Sequence, residues 1–251
     1  MKVAYEQIIA NLHDAEHEHH SRIDPHRKSA SGLSDIILGG QDGLVNVLGV
    51  ILGVAAATGD PRLVLVAGLA ATFAESVSMG AVAFTSTIAD ADYYDSEKER
   101  ELRHIKQAPQ LERDEIRHIY AEKGFEGDLL HRIVDTITAN PEVWVAVMMS
   151  EEHQLNPVDR RDSWKAAFIV GVSAIVGSLI PLAPFAFLPV GLSMWVSVVV
   201  TALVLFGVGA YKARMTVGNP TKSGLEIAVI GTVSALVGYG VGMLLKIPSL
   251  P

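Results

Sequence analysis

Apolar and polar positions fall in long blocks along this chain. Residues 34–88 and 166–211 carry almost no charge, whereas 89–165 is dense in it. The most informative block runs from Pro61 to Lys106. It begins as LVLVAGLAATFAESVSMGAVAFTSTIA and turns abruptly polar as DADYYDSEKERELRHIK, with no Gly or Pro between Gly80 and Pro109. About 20 apolar residues cross a bilayer as one helix, so this block predicts a helix that spans a membrane and continues into water. Further apolar runs predict spans over Ser34–Gly59, Trp164–Leu182, Val190–Tyr211 and Leu225–Leu245. The third and fourth are joined by the turn PLAPFAFLP. Between the second and third spans, Pro109, Gly124 and Asn140-Pro141 mark off three shorter helices, near Gln110–Lys123, Gly127–Ala139 and Glu142–Leu155. The pattern predicts an all-α polytopic membrane protein with five transmembrane helices and a helical insert between helices 2 and 3. Its divisions are a polar arm (1–33), spans 1 and 2 (34–88), the insert (89–163) and spans 3 to 5 (164–251).

Charge adds an orientation. Lys and Arg gather in the arm, in the insert and at Lys212, Arg214 and Lys222, while the other two loops hold only Arg62. The positive-inside rule then expects a cytoplasmic N-terminus and insert, with the C-terminus across the membrane. The expected setting is a prokaryotic cell membrane, or a vacuolar one in a eukaryote. No cleavable signal peptide is expected, because residues 1–33 hold no apolar core. The absence of Cys excludes disulfides, thiolate zinc sites and thiol catalysis. A net charge of −8 argues against a nucleic-acid partner, and no prosthetic group is expected. The spacings Gly49-x3-Gly53 and Gly238-x3-Gly242 permit close helix contact, and a homodimer is the expected assembly.

Ionisable groups at membrane depth carry the functional signal. An Asp at a helix centre costs about 2.5–3.5 kcal/mol on an insertion scale, so such groups mark ion pathways by default. Asp42 lies in the first span among Gln41, Asn46, Gly39, Gly40 and Gly43. Those glycines let another backbone approach, or let the helix loosen so that carbonyls face an ion. Glu75 and Met79 lie one turn apart in the second span. Asp42, Glu75 and Met79 are the expected transport path, with Thr72, Ser76 and Ser78 as helpers. Glu226, near the start of the fifth span, reads as an entry group or, preferably, as a simple charge at the helix N-terminus.

The polar insert carries a second cluster. Glu97, Glu101 and His104 share one helix face, and Glu112, Glu115, His118 and Glu122 stack on the next helix. Each helix bears a Glu-x-x-His, the ingredient of carboxylate-bridged di-metal sites in helical bundles. Arg103, Lys106, Arg113 and Arg117 fall mostly off that face. Met148, Met149 and Glu152 add thioethers and a carboxylate, and an O/N/S set suits Fe²⁺ or Mn²⁺ better than Ca²⁺ or Mg²⁺. The expected metal ligands are Glu97, Glu101, His104, Glu112, Glu115, Met148, Met149 and Glu152. The bland alternative is a solvated acidic face. The arm, HDAEHEHHSRIDPH, reads as loose metal capture through Glu16, His17, His19 and His20, or as a solvated tail.

These features resemble the vacuolar iron transporter family, shared by plant vacuolar iron transporters and the yeast vacuolar calcium cross-complementer. The matching residues are Ser34-Asp-Ile-Ile, Gln41-Asp42-Gly43-Leu44, Ala67-Gly68-Leu69-Ala70 and Ser78-Met79-Gly80. They continue with Ala91-Asp92-x-Tyr94, Met148-Met149-x-x-Glu152 and Gly177-x-Leu-Ile-Pro-Leu. The likeness covers about residues 33–247. It implies a dimeric Fe²⁺ or Mn²⁺ transporter that exchanges protons and has a cytoplasmic metal-binding domain. It matches Asp42 and Met79 to the path and Glu101, Glu112, Glu115, Glu152 and Met149 to cytoplasmic ligands, with His104 where relatives place Glu. The plant and yeast members set their second-span Glu two turns before the Met, where this chain has Ala71; Glu75 is one turn nearer. The expected function is a transporter exporting Fe²⁺ and/or Mn²⁺ from the cytoplasm by proton antiport, for metal homeostasis and not as an enzyme. A ferritin-like membrane di-iron oxidase and a membrane-anchored metal sensor are the alternatives.

Overall fold

A computed structural model describes residues 31–216 and 218–246. Most of the His-rich arm, with its expected metal capture, lies outside the described residues. Among them the chain forms only helices: α1 (Ser31–Thr58), α2 (Pro61–Gln107), α3 (Pro109–Glu122), α4 (Gly127–Thr138) and α5 (Pro141–Glu151). Then follow α6 (Asp162–Leu182), α7 (Pro184–Phe187), α8 (Val190–Met215) and α9 (Pro220–Leu244). Five of them (α1, α2, α6, α8 and α9) are long and apolar enough to cross a membrane. The protein is an all-α multi-pass membrane protein, as its hydropathy predicts.

Proline sets most of the starts, because it has no N–H to leave unpaired in a first turn. Asp60 caps α2 by accepting from the Arg62 N–H at 2.8 Å, with Pro61 next. Asn140 and Pro141 start α5 in the same way, through the Glu142 N–H at 2.9 Å. Asn219 accepts from Thr221 and Lys222 ahead of the last span. That cap moves the start of α9 to Pro220, five residues before the predicted Leu225. Glu226 therefore lies beyond the first turn and pairs with Lys222 at 4.0 Å, which corrects its reading as an N-terminal charge. The predicted turn after α6 contains the short helix α7.

Helix α2 has 47 residues, or about 70 Å at 1.5 Å per residue. A bilayer core is about 30 Å thick, so over half of α2 projects beyond it. Helix α1 is the hub of the membrane bundle and packs on α6, α9, α2 and α8. Leu44, Val47, Leu48, Ile51 and Leu52 of α1 are all buried.

Lipid is as apolar as Leu, so close packing rather than water exclusion must hold such helices together. Glycine provides it along two seams. A Cβ on Gly39 or Gly43 would overlap the carbonyl of Val170 or Ala174 on α6. The glycines around Asp42 thus bring α6 close, and α1 runs unbroken past them; the expected loosening of the helix does not occur. On the other side Gly49 and Gly53 of α1 meet Gly238 and Gly242 of α9 backbone to backbone. The two GxxxG spacings offered as reasons for a homodimer therefore join two helices of one chain.

Beyond the spans, the projecting end of α2 gathers α3, α4 and α5 around a separate core. It contains Ile105, Ile116, Val134, Ile137, Trp144, Val145 and Met148. Ion pairs tie its rim: Lys123 to Glu151, Arg113 to Asp135, and Arg160 to Asp92 at 2.6 Å and Asp95 at 2.8 Å.

Candidate metal site

The membrane-depth group forms where α1 passes α2. The Asn46 side-chain amide donates to Glu75 Oε1 at 2.8 Å, and the Glu75 carboxyl is also within hydrogen-bonding reach of the Asp42 carboxyl. Asp42 and Asn46 are one turn apart on α1, so both face the same stretch of α2. Met79, half-buried, lies one turn beyond Glu75. Asp42 also lines a cavity of about 520 Å³ with Ser34, Gln41, Val45, Lys212 and Thr216. Among the described residues no Lys or Arg forms an ion pair with Asp42 or Glu75. Two acidic side chains at this spacing, with one amide donor beside them, present oxygens suited to a cation. Thr72 and Ser76 do not help line it. Thr72 donates to the Gly68 carbonyl and Ser76 to that of Gly171 on α6, and both are buried inside the bundle.

The second group sits at the base of the insert, where α2, α3 and the end of α5 meet. Glu101 is its centre and is 3% exposed. Its Oε1 lies 3.1 Å from His153 Nε2 and 3.7 Å from His104 Nδ1. His104 Nδ1 is also 3.6 Å from Glu112 Oε1. Two triads result, Glu101–His104–Glu112 and Glu101–Glu152–His153, each with ligand atoms within 4.8 Å of one another. Glu101 belongs to both. Glu115, half-buried, lies within hydrogen-bonding reach of Glu112.

Electrostatics favour a cation here. Burial, together with the charges of Glu115 and Glu101, pushes the Glu112 carboxyl up to about 7. Burial and the Glu115 charge raise that of Glu152. The second carboxylate oxygens of Glu101 and Glu112 are buried without a hydrogen-bond partner. A buried, unpartnered carboxylate oxygen is costly, and a solvated acidic face would not contain one. A divalent ion would supply the missing partner, and the donor set of carboxylate and imidazole fits transition metals.

The remaining expected ligands separate. Glu97 is buried beside Glu101 but pairs with Arg100, a neighbour that the helix-face argument omitted. Met148 is fully buried in the apolar core of the insert, among Ile105, Ile116 and Trp144. Met149 is 1% exposed and stands outside that cluster. The second Glu-x-x-His divides, because Glu115 turns inward while the exposed His118 pairs with Glu122 at 3.2 Å.

His153 is the residue that the sequence reading left out of the ligand set. Reading α5 through Leu155 put His153 on a continuing helix. The helix ends at Glu151, and the chain closes a turn in which the His153 N–H donates to the Met148 carbonyl at 3.2 Å and the Leu155 N–H to that of Met149 at 2.9 Å. Gln154 adopts a φ of 55°, the left-handed region that ends helices. His153, in that turn, stands 3.1 Å from Glu101 Oε1. The run Glu151-Glu152-His153 was visible in the sequence, but its direction depended on where the helix stopped.

Comparison with known proteins agrees with this architecture. The chain is 33% identical over 227 residues to vacuolar iron transporter 1 of Oryza sativa subsp. japonica, covering 90% of each chain. It is 30% identical over 223 residues to vacuolar iron transporter 1 of Arabidopsis thaliana, covering 88% of each. The vacuolar iron transporter of Plasmodium falciparum is 28% identical over 249 residues. The sequence pattern of the VIT family matches residues 33–243, all five spans and the insert included, and the chain belongs to that family.

Proposed function

We propose that this protein is a membrane transporter of divalent transition-metal ions, Fe²⁺ and/or Mn²⁺, that exports them from the cytoplasm in exchange for protons. Relatives named as iron transporters support the metal. The observation that carries the transport reading is the Asp42–Asn46–Glu75 group inside the apolar spans. An oxidase or a sensor would use the insert carboxylates but has no need of acidic groups at membrane depth. Glu75 and Glu101 lie on the same unbroken helix, 26 residues apart, or about 39 Å. The insert is thus too far away to share one ion with the membrane group. In this reading it collects metal on the cytoplasmic side that the basic loops indicate, and Asp42, Glu75 and Met79 pass it across. Protons and metal ions compete for the same carboxylate oxygens, which is the basis for exchange. A homodimer is the proposed assembly.

Uptake of Fe²⁺ (anaerobic) and Mn²⁺ into sealed inside-out vesicles, with and without an imposed pH gradient, tests this reading. We expect metal entry accelerated by an acidic lumen, and loss of at least about tenfold in rate for Asp42→Asn and Glu75→Gln, since each removes a charge from the path without changing its size. Wild-type uptake in both variants refutes the path. Turnover of Fe²⁺ to Fe³⁺ without uptake establishes the oxidase instead.

A further inference from the structure

The two triads at the base of the insert each contain one imidazole, and the two rings approach Glu101 from different elements. His104 comes from α2 itself, and His153 from the turn that ends α5. We infer that His153 is a metal ligand beside Glu101 and gives the position it joins a preference for borderline transition ions. This inference rests on the insert being a metal-collecting site and specifies which metals it collects.

The spacing fits ligation. An ion held at about 2.0–2.2 Å by nitrogen and oxygen places adjacent ligand atoms about 3.0 Å apart at right angles, and about 3.4 Å apart in a tetrahedron. The 3.1 Å between Glu101 and His153 falls in this range, and the 3.6 and 3.7 Å from His104 to Glu112 and Glu101 lie a few tenths of an ångström beyond it. Hydrogen bonding alone does not account for the arrangement. His153 and His104 both converge on Oε1 of Glu101, while its Oε2 and the Oε2 of Glu112 are buried with no partner. An ion bound beside them would supply the missing partner. His153 is also the better sheltered ring, with its side chain 17% exposed against 46% for His104. A sheltered imidazole competes less with water for a metal.

The choice of metal follows from the donors. Carboxylates alone suit Mg²⁺, Ca²⁺ and Mn²⁺, whereas imidazole favours Fe²⁺, Co²⁺ and Zn²⁺. Replacing His153 with an amide should therefore lower affinity for the second group and leave the first nearly unchanged.

The test uses the full-length protein in detergent, with His13, His17, His19, His20 and His26 of the arm changed to Gln so that they do not bind metal. Calorimetric titrations with Co²⁺, Zn²⁺, Mn²⁺ and Mg²⁺ are paired with pulsed electron paramagnetic resonance of bound Mn²⁺, which detects ¹⁴N coupling from imidazole. We expect His153→Gln to weaken Co²⁺ and Zn²⁺ by about 10- to 100-fold, to change Mg²⁺ little, and to reduce the ¹⁴N coupling. His104→Gln should remove the remainder. Glu101→Gln should weaken binding of all four ions. Unchanged Co²⁺ affinity and unchanged ¹⁴N coupling in His153→Gln, with binding lost in Glu101→Gln, would overturn this inference alone. Unchanged binding in Glu101→Gln as well would overturn the metal-collecting reading with it.

Discussion

The metal-free insert should lose stability as the pH rises toward neutrality, the reverse of ordinary acid denaturation. The cause is Glu112, 3% exposed and crowded by Glu115 and Glu101. Its carboxyl is pushed up to about 7 from an ordinary 4.5. A carboxyl with a raised folded-state pKa binds more protons folded than unfolded between those two values. Its contribution is complete below pH 4.5 and is lost as the pH climbs through 7. At about 1.4 kcal/mol per unit, a rise of this size is worth about 3 kcal/mol. That is a large share of what a small helical domain holds, and the raised Glu152 acts in the same direction. A bound divalent ion takes over the proton's role. At 100 times its dissociation constant it would restore about 2.7 kcal/mol at pH 7.5, and little at pH 5, where protons hold the oxygens. The assay is denaturant unfolding followed by Trp144, buried in the insert core, with the other two Trp, Trp164 and Trp195, changed to Phe. In EDTA the unfolding free energy should fall from pH 5 to pH 7.5, and Mn²⁺ should remove most of the difference. Glu112→Gln should flatten the profile and be the more stable protein at pH 7.5 without metal. A metal-free profile that is flat or rises over this range, or one with the same slope in Glu112→Gln, would refute the reasoning.

Other substitutions probe the bundle and the path. Asn46→Ala removes the donor to Glu75 Oε1 and should slow vesicle uptake while leaving calorimetric metal binding by the insert intact. Gly53→Leu would force a side chain into the Gly238 carbonyl; such overpacking costs about 1–3 kcal/mol and should appear as a lower thermal midpoint in detergent. Arg160→Ala breaks two exposed ion pairs to Asp92 and Asp95 and should change stability by less than about 1 kcal/mol, measured in the same melt.

How much of this was legible in the sequence depended on the kind of signal. Run length and charge density located all five spans and the long α2, because a helix must cross about 30 Å of hydrocarbon whatever surrounds it. Prolines and caps fixed the starts within a few residues, and the capping Asn219 was the one overlooked. The GxxxG spacings were read correctly as close contacts, but spacing does not say whether the partner helix belongs to the same chain. Gly53 finds its partner in Gly242 of that chain.

Helix faces explain the cluster's partial legibility. Period and spacing put Glu101, His104, Glu112 and Glu115 together because each pair shares a rigid helix. Two other assignments depended on features that spacing does not contain. Met148 and Met149 are adjacent and so point about 100° apart; only the packing of α4 against α5 decides that Met148 enters the apolar core. His153 depended on how α5 ends, where its N–H closes on the Met148 carbonyl instead of continuing the i→i−4 ladder. The part of this site that a sequence hides is thus the part built at a helix end, where the last backbone hydrogen bonds leave the i→i−4 ladder at a point that residue spacing does not reveal.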